Sequence, residues 1–244
     1  MNLADLPLST LVSAINFTPA FLFEFIILAP RDSADSISAL LARIDPTKVV
    51  KSQPPIRTAL ALRQRDLEEA GALVGSRYAA RGYLRDPAEA MPAPDQAPRP
   101  GCFTLIARCG EETIGTVTLG FDVGQGLLAD EGRKAEIAAL RAEGRQLCEL
   151  VRLAVAEHAD STRTLAALFN AAYGLGHVHH ATDLLIEVLP KHMGFYKRSL
   201  GFDVVGDERV CPRVGVRSVL LRLDVMDLSR RIGDLQRALA EVPL

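Results

Sequence analysis

Apolar and polar positions fall into a regular pattern only after Pro54-Pro55, and the elements can be read from there in order. Residues 56–62 (IRTALAL) alternate as a strand does, and Asp66 opens a helix with Leu67, Ala70, Val74 and Tyr78 on one face. Residues 86–100 hold five prolines and no apolar period, which is a loop. CFTLIARC (102–109) and TIGTVTLGF (113–121) predict two strands joined through Gly110-Glu111-Glu112. A segment with Gly124, Gly126 and Gly132 leads into a helix over 133–142 that turns Ile137 and Leu140 inward. The pattern then gives a strand CELVRLAV (148–155), a helix over 161–174, a strand ATDLLIEVL (181–189) and a short helix ending in FYKRSLGF (195–202). Strand, crossover helix, neighbouring strand and closing helix make one βαβα unit, which places ligands at the carboxyl ends of its strands. Beyond it lie residues 203–205, a turn at Gly206-Asp207, a loop over 210–215, a strand RSVLLRL (217–223) and a helix with Leu228, Ile232, Leu235 and Leu239 on one side.

The first 50 residues fit less well. Leu3, Leu6, Leu11 and Ile15 have helical spacing, Pro19 interrupts them, and Asp32-Ser33 caps a second helix with Ile37, Leu40, Leu41 and Ile44. The predicted division is an N-terminal extension (1–50), an α/β domain with a mixed sheet (51–226) and a C-terminal helix (227–244) packed on the domain or on a partner.

Composition narrows the functional classes. A net charge of −2 supplies no general field for a nucleic acid backbone, so no nucleic acid partner is expected. Four cysteines without a C-x-x-C pair read as reduced, buried residues of a cytoplasmic protein. The run 21–29 is about half a membrane span and contains Glu24, so no transmembrane segment is expected.

Candidate chemistry concentrates on the strand at 148–155. Simple alternation puts Leu147, Glu149, Val151, Leu153 and Val155 on one face and Cys148, Leu150, Arg152 and Ala154 on the other, one ion on each apolar face. A buried ion needs a partner or a use. On opposite faces Glu149 and Arg152 do not satisfy each other unless a bulge resets the parity. Arg152 reaches Glu187 if the two strands are neighbours. Glu149 is either a structural ion or a general base for an amine, direct or through water; Tyr196 is either a packed core residue or a proton donor to a leaving group. His177, His179 and His180 lack a carboxylate or cysteine at ligand spacing, so no metal site is expected. Ser161-Thr162 caps the crossover helix or, with its free N–H groups, holds a phosphate.

CELVRLAV, the crossover helix and FYKRSLGF together resemble the GNAT acyltransferase superfamily. More closely, GLLADEGRKAEIAALRAEGRQLCELVRLAV, LFNAAY, IEVLPKHMGFYKRSLGF and CPRVGVRSVLLRLDV, in that order over about residues 54–226, resemble the long-chain N-acyl amino acid synthases. Glu149-Leu150-Val151-Arg152 is also similar to the Glu-x-x-Arg pattern of the acyl-homoserine lactone synthases, in which the glutamate is the suspected base. The resemblance implies a GNAT-like fold, a central mixed twisted sheet flanked by helices, with a helical insertion before the fourth strand. It implies transfer of a fatty acyl group from the phosphopantetheine of acyl carrier protein to the amine of an amino acid, with no tightly bound cofactor.

Two departures from acetyl-CoA enzymes agree with that donor. AEHADSTRT follows Val155 where the Arg/Gln-x-x-Gly-x-Gly/Ala pyrophosphate loop is expected, and it has no glycine. The connection before Cys148 is far longer than a hairpin turn, long enough to wall a channel for a fatty tail. Burying about ten methylenes at ~0.8 kcal/mol each contributes roughly 8 kcal/mol before ordering costs, enough to replace pyrophosphate contacts. One departure from the closer family is Leu189 before Pro190, where a polar Asn is expected.

In the mechanism so implied, Glu149 takes the amine proton, backbone N–H groups of Leu153, Ala154 and Val155 hold the oxyanion, and Tyr196 protonates the thiolate. Arg152 and Glu187 orient substrate or structure, and Arg163, Lys191, Lys197 and Arg198 form a basic rim for the carrier protein, or a merely solvated surface. The competing readings are an acetyl-CoA-dependent N-acetyltransferase of small molecules and a GNAT-like domain that holds an acyl ligand without turnover; the alternative donor to the carrier protein is acyl-CoA.

Overall fold

The computed structural model describes residues 54–90 and 99–230, so the expectations for 1–50, 91–98 and 231–244 fall outside it. The elements follow the predicted order: β1 (Ile56–Leu60), α1 (Gln64–Ala79), β2 (Cys102–Cys109), β3 (Glu112–Phe121), α2 (Asp130–Ala142), β4 (Leu147–Val155), α3 (Ser161–Val178), β5 (Asp183–Val188), α4 (Pro190–Phe195), β6 (Asp203–Val210) and β7 (Arg217–Asp224). The seven strands form one sheet in the order β1-β2-β3-β4-β5-β7-β6. Among the pairs, β4–β5 is parallel and the others are antiparallel. The expected central mixed sheet flanked by helices is present, with α2 inserted before the fourth strand.

Alternation along the strands feeds two cores. On one face Leu150, Ile186 and Leu221 pack with Leu168, Phe169 and Ala172 of α3. On the other, Leu147, Leu185 and Leu220 meet Leu127, Ile137 and Leu140 around α2, and Ala154 meets Val74 of α1. Each such aliphatic side chain contributes about 1.5–3 kcal/mol on burial.

Four boundaries differ from the sequence reading, each for a tertiary reason. Helix α3 runs past Gly174 to Val178 and ends where His180 takes φ +55°. Its cap is Asp160, whose carboxylate accepts the Arg163 N–H at 3.1 Å, rather than Ser161-Thr162. Gly206-Asp207 is an irregularity inside β6, not its end, and it turns the Asp207 carbonyl toward Arg133. Helix α2 begins at Asp130 and kinks at Arg133, which leaves the helical region at φ −132° to reach the sheet.

Helix α2, the inserted element, is tied down by ions at both ends. Arg141 clamps Asp122 (2.7 and 2.9 Å) and Asp130 (2.7 and 2.6 Å). Arg133 is fully buried and bonds Glu187 at 3.2 Å and the Ser218 carbonyl at 2.7 Å. The predicted C-terminal helix starts at residue 225, with Val225 and Leu228 buried; Ile232, Leu235 and Leu239 lie outside the described residues.

Candidate active site

The parallel pairing of β4 with β5 runs from Leu147↔Asp183 to Leu150↔Ile186. Both strands continue beyond it, β4 to Val155 and β5 to Val188, and there they splay. A bulge drives the separation. Val151 opposes Thr118 and Ala154 opposes Thr116, so β4 carries one residue more than β3, and Arg152 takes φ +56°.

This bulge overturns the simple alternation. Ala154 joins Glu149 on the face toward α1 and α2, and Leu153 packs with the core of Leu150 on the other. The backbone alternates with it. Ala156 donates its N–H to Ile114 of β3 at 2.8 Å, and Ala154 opposes Thr116 two residues away. The Ala154 N–H therefore also turns to β3, and those of Leu153 and Val155 turn to the open edge.

The splay opens into a cleft of about 640 Å³ lined by Glu149, the bulge, Tyr78, Tyr196 and Arg213 among others. That volume lies within the range of about 300–1,000 Å³ usual for ligand sites.

Glu149 is 2% exposed. Its two oxygens accept the N–H groups of Leu128 (2.6 Å) and Ala129 (3.0 Å), at the start of α2. Asp130 accepts the Leu127 N–H at 2.8 Å, so two carboxylates satisfy the three successive N–H groups that lead into the helix. Room for Glu149 comes from Gly120 on β3, where a Cβ would lie 3.1 Å from the carboxylate. Burial raises the pKa of Glu149, and the Leu128 and Ala129 donors and then the Arg213 charge oppose the rise. Each carboxylate oxygen has a second lone pair beyond its backbone bond.

Across the cleft, Tyr196 opens the π-helical turn that continues α4 and packs edge-on to Phe195 and Phe202. Burial pushes its hydroxyl up to about 12, so it stays protonated through the neutral range. Leu189, the departure noted above, is the N-cap of α4 without a side-chain hydrogen bond, and Pro190 at the first helical position needs no partner for a missing N–H.

Glu187 faces the same cleft, yet its partners correct the expected pairing with Arg152. Arg133 at 3.2 Å, Ser218 at 3.1 Å and Arg213 at 2.6 Å hold its carboxylate. Arg152 stands beside Tyr78, and burial lowers its pKa. Lys191, Lys197 and Arg198 are exposed on α4 and its extension, and Arg163 is half-buried on α3. His179 stacks on Phe121 at 4.2 Å and His177 lies edge-on to Tyr173. Among the described residues no group of three His, Cys, Asp or Glu is placed to hold a metal, and no helix is long and apolar enough to cross a membrane.

Sequence reasoning missed Tyr78, Arg213 and the Leu128-Ala129 amides. Tyr78 reads as a core position of α1, and Arg213 is one arginine of an unpatterned loop, although it lies inside the motif CPRVGVRSVLLRLDV. The amides carry no side-chain signal.

The family of the N-acyl amino acid synthase FeeM matches residues 69–224. Among solved structures, the chain is similar to FeeM, an N-acyl amino acid synthase from uncultured soil microbes, with 26% identity and a TM-score of 0.66 over 75% of this chain and 98% of that one. It is also similar to the AHL synthase LasI, with 14% identity and a TM-score of 0.49 over 70% of this chain and 91% of that one. An acyl-CoA N-acyltransferase from Pseudomonas aeruginosa gives 12% identity and a TM-score of 0.49 over 69% of this chain and 98% of that one. No curated protein matches the chain.

Proposed function

The chain belongs to the FeeM family of N-acyl amino acid synthases, and we propose that it moves a long-chain fatty acyl group from acyl carrier protein to the amine of an amino acid. The observation that carries the reading is the carboxylate of Glu149, nearly buried, raised in pKa, and set in the wall of a cleft at the splay of β4 and β5.

The acceptor amine attacks the thioester carbonyl while Glu149 takes its proton, directly or through one water. The N–H groups of Leu153 and Val155 receive the oxyanion; Ala154, turned to β3, is not one of its donors. When the C–S bond breaks, the Tyr196 hydroxyl donates its proton to the departing sulfur. Arg152 sits on the bulge beside Tyr78 and Glu187 is held by Arg133, one on each strand of the splay, where they orient the substrate or the strands around it.

The carrier-bound donor is supported by the start of α3. Where a nucleotide pyrophosphate would need open N–H groups, Asp160 already places a carboxylate. No glycine stands between Val155 and Ser161 to let a phosphate approach the backbone. Arg163, Lys191, Lys197 and Arg198 supply the rim on which an acidic carrier docks.

Purified protein offered long-chain acyl carrier protein, the matching acyl-CoA and acetyl-CoA, each with a panel of amino acids, tests the proposal. N-acyl amino acid from the carrier-bound donor is expected. Product from acetyl-CoA alone overturns the carrier and long-chain readings.

A further inference from the structure

The Glu187 wall of the cleft holds one positive charge more than its carboxylate requires. Arg133 and Arg213 both pair with Glu187. Arg133 is 1% exposed and each of its three nitrogens donates, to Glu187, to the Asp207 carbonyl and to both oxygens of Ser218. Two guanidiniums therefore share the one carboxylate of Glu187, and of the two it is Arg213 that lines the cleft.

Arg213 has donors to spare. Of the five N–H groups a guanidinium carries, the bond to Glu187 at 2.6 Å uses one, and it is the one hydrogen bond that Arg213 makes to the described residues. Its side chain is 25% exposed and lines the cleft that contains Glu149. The loop that carries it is fastened at its root, where the Cys211 N–H donates to Val216 and the Gly215 N–H to Cys211, each at 2.8 Å. The result is a preorganised cation next to the candidate base, near enough that its charge acts on Glu149.

We propose that Arg213 binds the α-carboxylate of the acceptor and so selects amino acids over other amines. This rests on the amino acid N-acylation proposed above and names the residue that recognises the acceptor. An α-amino acid carries an anion two bonds from its amine. Set beside ionised Glu149 without a cation, that anion is repelled; the spare charge of Arg213 removes the repulsion, and its planar fork matches a carboxylate. Arg152, another cation of the cleft, sits on the bulge of β4, where burial already acts against its charge.

The test compares amino acids with their carboxamides as acceptors, using long-chain acyl carrier protein and, separately, acyl-CoA as donors, in wild type, Arg213→Gln and Arg213→Lys. A carboxamide keeps the side chain and offers a less basic, more readily deprotonated amine, so chemistry alone favours it. Wild type is expected to prefer the acid. Arg213→Gln is expected to raise the acid's KM about 10- to 100-fold, leave the carboxamide's KM nearly unchanged and spare the donor's KM; Arg213→Lys is expected to restore part of the preference. Because Glu187 keeps Arg133, the glutamine variant does not leave Glu187 without a cation, and Glu149 keeps its two backbone donors, so circular dichroism is expected to show a native fold. An unaltered acid-to-amide ratio in active Arg213→Gln overturns the inference alone. A rise confined to the donor's KM also overturns it and assigns Arg213 to a phosphate. Failure of the wild type to acylate any amino acid overturns both this inference and the function on which it rests.

Discussion

Replacing Glu149 with Gln removes a proton acceptor without changing shape, and the geometry sets the size of both consequences. The carboxylate now takes two charge-assisted bonds, from Leu128 at 2.6 Å and Ala129 at 3.0 Å. A glutamine oxygen keeps one of them as a neutral bond, and its NH₂ group faces the other donor. The loss is about 1.5–3 kcal/mol, offset in part because an ionised group no longer sits in a buried position. At roughly 2–4 °C per kcal/mol for a domain of this size, the melting temperature falls by no more than about 10 °C and the protein remains folded. Turnover is expected to fall about 10²- to 10⁴-fold, the usual contribution of a general base. Because burial raises the pKa of Glu149, the wild-type kcat/KM is expected to climb with pH along a limb above the ordinary carboxylate range, and the variant to lose that limb. Thiol release followed at a series of pH values, with melting curves on the same samples, separates the two effects. Turnover within threefold of wild type with the limb intact would refute the base assignment and leave Glu149 as the cap of α2.

Tyr196→Phe is expected to slow the natural thioester about 100-fold and an activated thioester, whose thiolate leaves without a proton, much less; equal losses would make Tyr196 a packing residue. At position 152, φ +56° reverses the usual order of substitutions: Arg152→Gly should be about 1 kcal/mol more stable to urea than Arg152→Ala, and a more stable alanine variant would contradict the left-handed bulge. Hydrogen bonds from Thr113 and Arg108 hold Glu69 at a pKa of about 2, well below its unfolded value. Its stabilisation is thus present above about pH 4.5 and lost as pH falls toward 2, so urea midpoints of wild type should converge on those of Glu69→Gln over that interval; parallel curves would show that the Arg108 link does not hold α1.

Several elements were legible from the chain because their cause is local. Period-2 alternation in CFTLIARC and TIGTVTLGF specifies a hairpin, and the strand, helix, strand, helix order from Cys148 to Phe202 specifies a crossover. The same reading singled out Glu149, an ion between apolar neighbours, and Tyr196, a phenol in the closing helix, and both line the cleft. It failed where the cause is a contact made between distant segments. No sequence period predicts that β4 gains a residue on β3, so the faces of Leu153, Ala154 and Val155 could be placed only after pairing.

Partner choice divides in the same way. The sequence by itself determined that Glu149 and Arg152 would each need compensation, because a charge on an apolar strand is costly wherever the strand lies, and it offered Glu187 only as a partner for Arg152. Tertiary structure alone decided the partners: the amides of Leu128 and Ala129 just before α2 for Glu149, Arg133 and Arg213 for Glu187, with Arg152 beside Tyr78. Desolvation is a property of the residue and its immediate pattern; a hydrogen bond is a property of two atoms that only the completed sheet brings within 3 Å.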